Sequence, residues 1–294
     1  MASRQAVIDR SSDLEQLLLQ SLQDVIENPT ENHFHQLRLT IKKIVAHLKL
    51  YAAIDPDHRQ KILRKKIRRI FKRAGDIRDL QVRVQQLASA PTTSRLARLK
   101  KRETKTIDQR IKDFVNTIHA TGFDWVRKSF EVMEEDLASL SINQVAGGVE
   151  NYIRSMLDKI LHLSQAGLQQ ETHLHDYRIQ LKQFYYNLLY LLQRGHLFRS
   201  FQQDLKLIDD LQEELGLWHD QYLLLKKMRS ERVKHRHIKQ LLERKEQTRA
   251  RISFKQRNVT IVFKNVSEYL PVLIQNLNKE QGSNAKLRVE SAPS

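Results

Sequence analysis

An all-α protein made of two similar halves is what this sequence predicts, and three observations predict it. Apolar residues recur at three- and four-residue spacings along nearly the whole chain, and the alternation that marks strands is scarce. In 294 residues there are only 8 Gly and 5 Pro, too few for a turn-dense all-β fold. Two short motifs return about half a chain later, at offsets of 140 and 141 residues.

The elements follow in order. Leu14, Leu17, Leu18, Leu22, Val25 and Ile26 mark a helix over 12–27, which Asn28-Pro29 stops. A second helix is expected over 31–54, ending before Asp55-Pro56, a third over 57–74 and a fourth over 76–89, before Pro91. A long basic helix starts near Ser94, with Gly122 as a break before a helix over 124–140. Gly147-Gly148 is the strongest internal punctuation. In the second half, helices are expected over 149–166, 170–194, 197–215, 217–245 and 248–279, the last bent or broken at Pro271. Segment 259–263 has strand propensity but is assigned to helix by its setting. The reading is thus a flexible N-terminus over 1–11, a first repeat over 12–146, a second over 147–280 and a disordered tail over 281–294.

The repeats carry the argument. His33-Phe34-His35-Gln36-Leu37-Arg38-Leu39-Thr40-Ile41-Lys42 aligns with His173-Leu174-His175-Asp176-Tyr177-Arg178-Ile179-Gln180-Leu181-Lys182. Gly75-Asp76-Ile77-Arg78-Asp79 aligns with Gly216-Leu217-Trp218-His219-Asp220. Two anchors at nearly one offset imply a duplicated helical unit, packed about a pseudo-two-fold axis.

With His35 at zero on a helical wheel, Arg38 falls near about −60°, Lys42 near about −20° and Lys49 near about −40°. Leu37, Ile41, Ile44 and Leu48 take the far side and face a core. His175, Arg178 and Lys182 repeat the angles of the first three. Beyond them that stripe turns to Tyr186 and Leu189. Most charge runs are simply solvated faces. Here, however, like charges at i, i+3 and i+7 repel, and no acid at helical spacing relieves the first stripe. A self-repelling stripe present in both halves is better explained by an anionic ligand.

Composition points the same way. Lys and Arg total 51 against 34 Asp and Glu, a net charge of +17, which attracts polyanions: nucleic acid, an anionic membrane surface or polyphosphate. Segment 59–73 holds nine Lys and Arg, Arg64 and Arg68 among them, and no acid; 226–257 holds thirteen against three Glu. Hydrophobic residues at 40% allow a real core. The absence of Cys excludes disulfides, thiolate zinc sites and a cysteine nucleophile. No apolar run of about 18 residues predicts a membrane span, and the basic start lacks the apolar core of a secretory signal.

Other chemistries are weak. The pairs His33/His35, His173/His175 and His235/His237 are each two residues apart, and on a helix such rings point about 200° from one another and cannot share an ion. No metal and no cofactor is expected. His35 and His175 read either as helix-terminal residues with a satisfied hydrogen bond or as phosphate donors, stronger when protonated. Asp79 and Asp220, read as starting helices just after Gly75 and Gly216, are expected to cap them or to pair with a neighbouring Arg or Lys. A glycine-rich phosphate loop and an acidic cluster suited to Mg²⁺ are both missing, so no catalytic residue is assigned.

At His35-x-x-Arg38-x-x-x-Lys42-Lys43, its second copy His175-x-x-Arg178-x-x-x-Lys182, and the two Gly-x-x-Arg/His-Asp segments, the chain resembles the CHAD family, the conserved-histidine α-helical domain, over about 12 to about 280. The resemblance implies paired antiparallel helical bundles around a basic central groove or pore. It also implies non-enzymatic binding of inorganic polyphosphate in the cytoplasm, with targeting to polyphosphate granules. The implied binding residues are His35, Arg38, Lys42 and Lys43, with His175, Arg178 and Lys182; Lys49, Arg64 and Arg68 extend the basic surface. Val45 and Tyr185 stand where the family pattern often has a further base, and Gln183 replaces the second base of the later copy, so the second half is expected to hold ligand less strongly. The E-x-E-x-K signature of the triphosphate-tunnel domain fused to some relatives does not occur. The rival readings are a nucleic-acid or general polyanion binder, a phosphotransferase or polyphosphatase, and a scaffold for an acidic protein.

Overall fold

The computed structural model describes residues 2–57, 60–88, 94–165, 170–195, 197–230 and 235–289. The described residues form nine helices and no strand: α1 (Ala2–Glu27), α2 (Glu31–Ile54), α3 (Lys61–Ala88), α4 (Ser94–Thr121), α5 (Asp124–Ser139), α6 (Ile142–Gln165), α7 (Glu171–Arg194), α8 (Gln202–Ser230) and α9 (His235–Val289).

Local chemistry sets several boundaries. Asn28-Pro29 ends α1, and the Thr30 side chain accepts a hydrogen bond from the His33 backbone N–H (3.3 Å), which starts α2. Gly122 takes a positive φ of 65° between α4 and α5, a conformation open to glycine, and its N–H bonds back to Ile118 C=O. Ser141 and Gln144 form a reciprocal capping box at the start of α6: Gln144 N–H to Ser141 Oγ at 3.3 Å and Ser141 N–H to Gln144 Oε1 at 2.8 Å.

Several expectations change. The segment 1–11 is helical from Ala2 onward, and Ala6, Val7, Arg10 and Ser11 are buried. The two helices expected on either side of Gly75 are the single helix α3, and Gly216 lies inside α8. Gly147-Gly148 interrupts nothing, because α6 runs through both from Ile142. The last stretch is one long helix, α9, which includes Pro271 and segment 259–263 and continues to Val289. Arg59 and Pro91, like 290–294 of the expected tail, lie outside the described residues.

Packing follows the apolar stripes. In the first half α1 lies on α2, α2 on α3, and α3 on α4; in the second α6 lies on α7, α7 on α8, and α8 on α9. The middle helices α2 and α7 also pack on each other. Phe34, Leu37, Ile41, Ile44, Leu48 and Tyr51 of α2 join Leu174, Tyr177, Leu181, Phe184 and Leu188 of α7 in one continuous core that spans both halves. Each such side chain stabilises the fold by about 1.5–3 kcal/mol when fully buried. Polar ties cross the same region. Asn187 Nδ2 donates to Ala46 C=O (2.9 Å) and to the Tyr152 hydroxyl (2.7 Å), and Arg10 Nη2 donates to Tyr186 C=O (2.9 Å). A smaller cluster of Leu87, Leu96, Leu99, Leu224 and Met228 joins the ends of α3, α4 and α8.

Candidate functional site

Because α2 and α7 pack directly, their polar stripes meet. Arg38 and Lys42 of α2 and Arg178 and Lys182 of α7 are all half-buried; Lys42 responds to the charge of the other three, and Arg38 and Lys182 to that of Arg178. Burial and then Lys182, Arg178 and Arg38 pull the Lys42 ammonium down to about 7, against the opposing pull of Asp220. Burial and then Arg178 bring Lys182 down to about 8, with Asp209 and Asp220 opposing. Burial also lowers both guanidinium groups; Asp79 is the strongest counterweight for Arg38 and Asp220 for Arg178. Among the described residues, no carboxylate lies within ion-pairing distance of these four cations. Four cations held together without direct counterions form a site that is electrostatically incomplete.

Three histidines stand near these cations. His35 is lowered by burial, then by Arg78, Lys42, Lys182 and Arg38. The His175 ring lies 5.1 Å from that of His219, tilted by 32°. His175 is lowered by burial and by Arg178, while His219 is pushed down to about 3 by burial, Arg178, His175, Lys42 and Arg38. Arg178 Nε and His219 Nδ1 are buried without a hydrogen-bond partner. Asp220 shifts the other way, raised by burial and by Asp79 and restrained by Arg178, Arg78 and Lys42.

The flanking helices shape the site. The Arg38 guanidinium lies over the Phe71 ring of α3, 5.0 Å from its centroid. Gly75, one turn further, presents bare backbone beside the same guanidinium. Arg78 forms an ion pair with Glu31 at the start of α2, and Gln85 also donates to Glu31 (2.7 Å).

The expected site residues therefore divide. His35, Arg38, Lys42, His175, Arg178 and Lys182 converge. Lys43 is exposed on the neighbouring face of α2. Lys49 is lowered by burial and by Lys159, and its Nζ donates to Gln183 Oε1 across the α2–α7 seam (2.6 Å). Arg64 donates to the Leu48 C=O (3.2 Å) and Arg68 is exposed. By helical phase both lie on the face of α3 that carries Phe71, Gly75 and Arg78, but further along it. Asp79 and Asp220 sit inside α3 and α8, so neither caps a helix; they act on the site as nearby negative charge.

Two contributors escaped the sequence reading, Arg78 and His219. Both stand three residues after the repeated glycine, in the second of the two repeated motifs. Their common offset from Gly75 and Gly216 was the available signal. No group of three or more potential metal ligands occurs among the described residues, and no described helix is long and apolar enough to cross a membrane.

Fold and site together define a class: an all-helical protein whose two central helices bring repeated basic motifs to a shared seam. The CHAD domain model matches residues 11–229, most of the chain, and the chain belongs to that family. It is similar to the crystal structure of the CHAD domain from the plant Ricinus communis, with 16% identity, a TM-score of 0.66, and coverage of 94% of this chain and 91% of that one. At this identity the likeness is one of fold. No curated protein matches the chain.

Proposed function

We propose that the protein binds inorganic polyphosphate, without turning it over, at the seam where α2 and α7 meet. The observation that carries this reading is the convergence of Arg38, Lys42, Arg178 and Lys182 with no carboxylate in ion-pairing distance among the described residues. A polyanion relieves that repulsion and restores charge to the lysines. Arg38 and Arg178 supply forked hydrogen bonds to phosphate oxygens, and Lys42 and Lys182 act as point charges. His35 and His175 flank the path. The matching order of helices in the two halves supports a pseudo-two-fold arrangement that offers one stripe from each repeat to a linear ligand. Association with polyphosphate granules in the cytoplasm follows from this reading.

An unbranched inorganic chain suits the site better than a nucleic acid does. Phe71 is already covered by Arg38, and Trp218 is fully buried against Tyr222, so neither ring offers a free face for base stacking. The exposed cations of α3, including Arg68, favour the second reading, a general polyanion surface.

The test is Arg38→Ala combined with Arg178→Ala, assayed by polyphosphate titration alongside circular dichroism. Each lost charged hydrogen bond is worth about 1.5–3 kcal/mol, so affinity is expected to fall by at least about 100-fold with helicity retained. Unchanged affinity in the folded double variant removes the seam as the binding site.

A further inference from the structure

The two repeated glycines, Gly75 and Gly216, occupy equivalent places in the duplicated motif but different surroundings. A Cβ at residue 75 would overlap Arg38 Nη1, and the three nearest heavy atoms outside the local backbone of α3 all belong to the Arg38 guanidinium. At residue 216 nothing lies within 4 Å. Gly75 therefore differs from a glycine that lets two helix backbones approach. Gly148 is of that second kind, since its Cβ would meet Ile54 Cα at 2.6 Å and Ala53 O at 3.1 Å.

The surroundings of Gly75 form a seat. Phe71, Gly75 and Asp79 stand at i, i+4 and i+8 on one face of α3. Phe71 carries the guanidinium on its ring, Asp79 attracts it, and the bare backbone at Gly75 leaves the space it fills. The corresponding positions of α8 are Gln212, Gly216 and Asp220. Gln212 is buried with Nε2 unpartnered, no ring lies there for Arg178, and Arg178 Nε has no acceptor. One arginine of the site is seated and the other is not.

We propose that Gly75 is a positioning residue: its missing side chain is the notch that turns the Arg38 guanidinium into the seam, and Gly216 has no such role for Arg178. This rests on the reading of Arg38 as a phosphate ligand. The atom a new Cβ would strike is the far end of a flexible side chain, so substitution displaces the guanidinium and leaves the helices in place. Glycine is also unfavourable in a helix interior relative to alanine. Gly75→Ala should thus separate stability from binding.

The experiment compares Gly75→Ala, Gly216→Ala, Arg38→Ala and the Arg38→Ala/Gly75→Ala double variant by thermal denaturation and polyphosphate titration. Gly75→Ala is expected to melt at or above the parent temperature and to bind about tenfold more weakly. Gly216→Ala is expected to bind like the parent. In the Arg38→Ala background, Gly75→Ala should cost no further affinity. Parent-like affinity of Gly75→Ala, or an equal loss with Arg38 already gone, overturns the proposal. If Arg38→Ala itself binds like the parent, the ligand reading has failed, and the seat is judged without ligand. The Arg38 Nε–H resonance, identified by its loss in Arg38→Ala, then reports ring-current contact with Phe71. It should move in Gly75→Ala and stay in Gly216→Ala; an unmoved resonance in Gly75→Ala overturns the seat.

Discussion

Lys42 has Arg38 one turn before it on α2, and Arg178 and Lys182 across the seam on α7; burial and these cations hold its ammonium near 7, and Lys182 near 8. A lysine whose folded pKa lies below its ordinary value of 10.5 costs stability while it is charged. That cost is complete below about pH 7 and lifts as pH rises from the folded towards the unfolded value, so these groups make the empty protein more stable on the alkaline side. A bound polyanion reverses the preference and draws protons onto both lysines. Polyphosphate affinity at fixed ionic strength should therefore fall as pH rises from about 6 to about 9, with proton uptake on binding near neutrality. Lys42→Arg, which stays charged throughout, should flatten the lower part of the profile. An affinity independent of pH across this range contradicts the account. The stripe itself was legible, because a 3.6-residue period places His35, Arg38 and Lys42 on one side whatever the tertiary structure. The parts supplied by α3 and α8 were not, since a linear sequence does not say which face of α3 turns to Arg38.

At the scale of the element, glycine was the residue most easily misread. Gly75, Gly147-Gly148 and Gly216 all looked like boundaries, yet each lies inside a helix. In α6 the reason is close packing on the end of α2. Gly148 faces the Ile54 backbone, while Gly147 has nothing within 4 Å of its Cβ position. The two should respond in opposite senses. Gly148→Ala pushes α6 off α2 and should destabilise the protein by about 1–3 kcal/mol, whereas Gly147→Ala should stabilise it by about 0.5–1 kcal/mol. Urea denaturation of both variants checks this, and equal shifts would contradict the packing described. Helix α2 was legible to the residue, because Pro29 and Pro56 flank it and Thr30 caps it. The start of α1 was hidden by its polar composition. Arg10 is buried there only because it finds the Tyr186 carbonyl and the Tyr190 ring, 4.7 Å from its guanidinium, in the other half of the chain.

At the scale of the whole molecule, two of the surfaces that carry the +17 charge matter most to the proposed site. One is the seam, where a few half-buried cations share a confined space. The other is the exposed basic face of α3, where Lys65, Arg68, Arg69 and Lys72 stand in solvent. On the proposed reading any polyanion finds the second, and the first takes a chain of phosphates free of bases. Both give salt-dependent binding through counterion release, so salt dependence alone does not separate them. Preference between polyanions does. The deciding measurement is a salt-resolved competition titration of long-chain polyphosphate against single-stranded and duplex DNA, matched by phosphate concentration near physiological ionic strength. The account predicts clear preference for polyphosphate, lost on Arg38→Ala/Arg178→Ala. DNA binding as strong as polyphosphate binding, undiminished in that double variant, would contradict it and move the binding surface to the exposed cations outside the seam.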